Sequence, residues 1–75
     1  MLHAREDYNR LQDPHGRIPF DEPVFLIRGQ DPFAEATLEF YAAQCRAAGV
    51  NDIADKVTAQ IERIKNWPVK KTPDL

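Results

Sequence analysis

Hydrophobic positions fall into three distinct patterns along the 75 residues. The first is an unbroken bulky run, Val24-Phe25-Leu26-Ile27, closed by Pro23 on one side and by Arg28 and Gly29 on the other. β-branched and aromatic residues between such stops predict a buried strand over residues 24–28. The second pattern has helical spacing over residues 31–48. Asp31 suits an N-cap and Pro32 the first helical position, where a missing N–H removes nothing. Ala34, Leu38, Tyr41, Cys45 and Ala48 share one face, and Phe33, Thr37, Phe40 and Ala47 are expected to widen it. Gly49 suits the left-handed position that ends a helix. The third pattern predicts a helix over residues 51–66, with Asn51 as N-cap and Asp52 and Asp55 near the positive end of its dipole. There, Ile53, Val57, Ile61 and Ile64 form the apolar stripe; Lys56, Glu62, Arg63 and Lys65 lie opposite, and Pro68 stops the helix.

Around these elements lie a polar, turn-rich arm (residues 1–22) and an aperiodic tail (67–75). Asp13-Pro14-His15-Gly16 is a turn signal, and the prolines of Ile18–Pro23 favour extended backbone. A linker of about two residues between the helices forces an antiparallel hairpin. The expected fold is therefore one α+β domain spanning residues 1–75: a short strand plus a helical hairpin, with a polar N-terminal arm. The strand has no partner of its own kind in the sequence. Burying its backbone groups unpaired would cost about 1–3 kcal/mol each. Pairing with the strand of a second copy is the expected remedy, giving a homodimer or higher oligomer. Size agrees, since a chain this short buries a marginal core and gains from association.

Composition narrows the possibilities. A single cysteine, Cys45, rules out an internal disulfide, and His3 and His15 share no ligand spacing with it, so no metal or other cofactor is expected. Cys45 lies among alanines on the apolar side of its helix and reads as a small core residue. A net charge of −2 argues against DNA binding by bulk electrostatics. A helix-turn-helix around Gly49-Val50 fails because Asp52 and Asp55 would open the recognition helix and face phosphates. No apolar stretch reaches the ~18 residues of a membrane span, and the first residues do not form a signal peptide, so the cytoplasm is expected. Asp21 and Glu22 are neighbours in an extended segment and point opposite ways, a poor acid–base pair. The three glycines, 16, 29 and 49, form no phosphate loop. The sequence reads as non-enzymatic.

The remaining chemistry is polar and aromatic. His3, Arg5, Asp7, Tyr8, Asn9, Arg10 and Gln12 crowd hydrogen-bonding groups into the arm. Arg28 ends the strand, followed by Gln30, and Trp67 stands near Lys70 and Lys71. Guanidinium and ammonium groups bind phosphate oxygens, rings stack on bases, and amides read base edges. Arg5, Tyr8, Asn9, Arg10, Arg28, Gln30, Trp67 and Lys70 are therefore the candidate ligand-binding residues. A plainer reading has Arg5 and Arg10 pairing with Glu6 and Asp7, Tyr8 anchoring the arm and Trp67 capping the hairpin core. Arg28 is harder to explain that way, because a charge closing a buried strand needs a partner.

His3-Ala4-Arg5-Glu6-Asp7-Tyr8-Asn9, the segment Asp21-Glu22-Pro23-Val24-Phe25-Leu26-Ile27-Arg28-Gly29-Gln30-Asp31, and Trp67-Pro68 with Lys70-Lys71 and Pro73-Asp74 resemble a family of small proteins encoded by tailed bacteriophages and prophages. The likeness spans nearly the whole chain, with Phe20 standing where an acidic residue is expected. The family itself conveys origin more than activity; it implies residence in a host bacterial cytoplasm. By analogy with phage accessory proteins that act as molecular sponges, it suggests a non-catalytic oligomer that sequesters a cyclic nucleotide or cyclic ADP-ribose messenger of host immunity. The alternative is a phage interaction protein that binds a host or virion protein by strand addition.

Overall fold

A computed structural model of the chain describes residues 1–3 and 13–73. Among these, the order is β1 (Leu2–His3), β2 (Pro23–Val24), α1 (Ala34–Ala47) and α2 (Asn51–Asn66). The two helices fold back on each other and supply the core. The extended segments and the tail gather at the end where α1 begins and α2 finishes.

The strand is shorter than expected, and the part that forms pairs within the chain. Only Pro23 and Val24 have strand pairing, and residues 25–28 continue without it. The partner is the chain's own beginning: β1 runs parallel to β2, with Leu2 opposite Pro23 and His3 opposite Val24. The Leu2 amide donates to the Glu22 carbonyl at 2.6 Å, and the Met1 nitrogen donates to the Phe20 carbonyl at 2.5 Å. Two residues carry no hydrophobic run or alternation, so residue pattern gave no sign of this partner. The turn at Asp13 forms as expected. Gly16 adopts φ +58°, its amide donates to the Asp13 carbonyl, and the Asp13 carboxylate accepts from the amides of Arg17 and Ile18.

The α1 helix starts three residues later than residue 31, although Asp31 still acts at its entrance. Its carboxylate accepts from the Phe33 amide at 2.8 Å, and its carbonyl accepts from Ala34. The exit closes in the manner of a Schellman motif: Gly49 has φ +77° and donates to the Arg46 carbonyl, while Val50 donates to the Cys45 carbonyl. Val50 occupies the N-cap of α2. Asn51, expected as the cap, is the first helical residue, and no side-chain cap bond forms there.

Packing between the helices is close because alanines line the contact. Ala34, Ala42, Ala54, Ile61 and Ile64 are buried, and Ala34 and Ala54 are inaccessible to solvent. Leu38, Cys45 and Val57 are half-buried. Ile53 of the expected stripe remains partly open at 40% exposure. The widening of the α1 core face does not occur. Phe33, Thr37, Phe40 and Ala47, with Tyr41, are exposed. At about 100° per residue, Phe33, Phe40 and Ala47 lie on the side of the helix away from Ala34 and Ala42. An ion pair between Arg46 and Asp55, 3.0 Å apart, spans the helices near their link, with both side chains largely in solvent. Such a pair contributes at most about 1 kcal/mol.

Candidate ligand site at the Arg28 turn

The segment leaving β2 ends in a turn, closed by the Asp31 amide donating to the Arg28 carbonyl at 3.0 Å. This turn packs against the C-terminal end of α2. Gly29 approaches so closely that an added Cβ would lie 3.7 Å from Ile64 and 4.0 Å from Trp67. The tail then folds back over the turn, with the Lys71 amide donating to the Gln30 carbonyl at 2.8 Å. Residues about 35–40 positions apart are thereby placed around Arg28.

Arg28 stands between two open depressions. The first, about 290 Å³, has Phe25, Ile27, Phe33 and Thr37 on its apolar side and Arg28, Gln30, Asp31 and Lys71 among its polar groups. The second, about 420 Å³, is bounded by Arg28, Gln30, Gln60 and Arg63 with Ile64 and Trp67. Each therefore holds Arg28, one further cation and at least one aromatic ring. The Arg63 guanidinium is oriented by a 2.9 Å bond to the Gln60 side-chain oxygen. Trp67 is 53% exposed, with part of its indole open to solvent. Cation plus ring is the combination that holds an anionic group joined to a planar one. Among the described residues, no three His, Cys, Asp or Glu side chains gather as a metal site.

Of the residues chosen from sequence, Arg28, Gln30 and Trp67 come together at this turn. Lys70 lines neither depression; its ammonium donates to the carbonyls of Gly29 at 3.0 Å and Ile64 at 2.8 Å. That is a tie between helix end and turn. Arg5, Tyr8, Asn9 and Arg10 lie outside the described residues. Phe25, Phe33, Gln60, Arg63 and Lys71 were not among the candidates. Lys71 had a signal, its place beside Lys70 and Trp67. Arg63 had none, because a charged residue on the polar side of an amphipathic helix reads as surface. No family model, curated protein or solved structure matches this chain.

Proposed function

We propose that this protein is a non-catalytic binder of a small phosphorylated, nucleotide-like ligand, with Arg28 as the anchor. The observation that carries this reading is the position of Arg28 between two depressions, each furnished with a second cation and an aromatic wall. A guanidinium can clasp two phosphate oxygens at once, and two flanking hollows suit a ligand with two ring-bearing arms. Trp67 offers a stacking surface on one side, and Phe25 and Phe33 on the other. The analogy with phage proteins that act as molecular sponges suggests a cyclic messenger of host immunity as the ligand, sequestered in the bacterial cytoplasm by a homo-oligomer.

The test is titration calorimetry against a panel of cyclic di- and trinucleotides and cyclic ADP-ribose isomers. At least one should bind. Arg28→Ala should then weaken it by roughly 2 kcal/mol or more, the scale of a lost charge-assisted contact. A flat response to the panel overturns this reading.

A second reading rests on a different observation. Residues 25–28 continue beyond the two-residue ladder, and Phe25 is 68% exposed. This segment could take an added strand from a host or virion protein, whose side chains would cover Phe25. Pull-down from infected cells with wild type and Phe25→Asp separates the two, since only strand addition predicts a protein partner lost with Phe25.

A further inference from the structure

The face of α1 turned away from α2 carries no charge. Phe33, Ala36, Phe40, Ala43 and Ala47 recur at steps of 3, 4, 3 and 4, the spacing of a helix–helix seam, and all five are exposed. The charged residues Glu35, Glu39 and Arg46 lie together on one flank. The second helix α2 is polar on its outer side; α1 is apolar on both sides. A helix of that kind ordinarily has a neighbour on each side.

We infer that a second copy of this chain covers the outer face of α1, antiparallel to it, with Phe40 at the two-fold axis. Three observations select a second copy as the occupant. The seam is self-complementary: a two-fold through Phe40 sets Phe33 opposite Ala47 of the partner subunit and brings the two Phe40 rings together, large against small at the ends. The flank charges match at both ends, where the same operation sets Glu35 beside Arg46 of the partner subunit, and only near the centre does Glu39 come near Glu39 of the partner subunit, at the solvent-exposed edge. In the single chain Arg46 uses one terminal nitrogen for Asp55 and retains further N–H groups. The area approaches what a dimer needs. Phe33 and Phe40 on the seam and Phe25 beside its end are 62%, 68% and 68% exposed. At about 150–250 Å² per ring, they offer on the order of 400 Å². The alanines bring this toward the ~800 Å² per partner of a standard interface.

This arrangement also reaches the Arg28 turn. Phe33 belongs both to the seam end and to the wall of the 290 Å³ depression, which Thr37 also lines. The far end of the second α1 would close that side of the depression, so each ligand site would be walled by two subunits. This closing rests on the ligand reading; the association itself does not.

Sedimentation velocity of the full chain from high micromolar to nanomolar concentration tests the association. The wild type should be a dimer at high concentration, Arg28→Ala should remain one, and Phe40→Glu should be monomeric with unchanged helical circular dichroism. Phe40→Cys in a Cys45→Ala background should oxidise to a covalent dimer. A monomeric wild type at high concentration overturns the proposal. So does a dimer that survives Phe40→Glu and fails to cross-link, or binding to lipid vesicles or a foreign protein through this face without self-association. With a ligand found by the panel, Phe40→Glu should weaken binding by about tenfold, equivalent to roughly 1.4 kcal/mol. Dimerisation without that loss removes the shared wall and leaves the dimer standing.

Discussion

The Lys70 ammonium donates to the Gly29 carbonyl at 3.0 Å, across 41 positions of sequence. The same nitrogen reaches the Ile64 carbonyl at 2.8 Å, which also accepts from the Trp67 amide. One cation thus adds a charge-assisted bond to a carbonyl at the negative end of α2 and holds the turn that carries Arg28. Its chemistry at this point is architectural.

Replacing Lys70 with Met keeps most of the stem and removes both hydrogen bonds. The chain should lose about 1–2 kcal/mol in urea denaturation, the scale of a charge-assisted pair of bonds partly open to water. Lys70→Arg should recover part of it. Undiminished stability in Lys70→Met would show that the tail is not held by this contact.

The glycines at the two turns should respond in opposite directions. Gly29 does not have a left-handed φ, and an added Cβ would meet Ile64 and Trp67 at ordinary contact distances of 3.7 and 4.0 Å. Gly29→Ala should therefore be neutral or stabilising by up to about 1 kcal/mol through the unfolded chain. At Gly49, φ +77° is disfavoured for any L side chain, and Gly49→Ala should cost about 1 kcal/mol or more although the space is open. Paired thermal melts check the contrast, and equal effects would contradict the two turn geometries.

A core built largely from alanines should respond sharply to changes in volume. Ala54 is inaccessible between the helices, so Ala54→Leu should force them apart at a cost of about 1–3 kcal/mol. Ile61, 5% exposed, should cost about 2–3 kcal/mol as Ile61→Ala. Against the few kcal/mol available to a chain of this length, either change should lower the unfolding midpoint strongly. A loss below about 1 kcal/mol in both would mean that the helices pack through other side chains.

Local signals determined the helical hairpin. Steps of 4, 4 and 3 from Ile53 to Ile64, the carboxylate of Asp31 and the left-handed Gly49 are short-range features, and α2 runs over Asn51–Asn66 as its pattern predicts. The same signals put Ala34, Leu38 and Cys45 on the face that meets α2 but merged Phe33, Phe40 and Ala47 with it. Their separation was decided by fit, since alanines let the helix axes approach and phenylalanines would hold them apart. Tertiary structure also decided the strand partner, the use of Lys70 as a tie, and the arrival of Arg63 and Lys71 beside Arg28. Each of these joins residues distant in sequence, where spacing carries no record of contact.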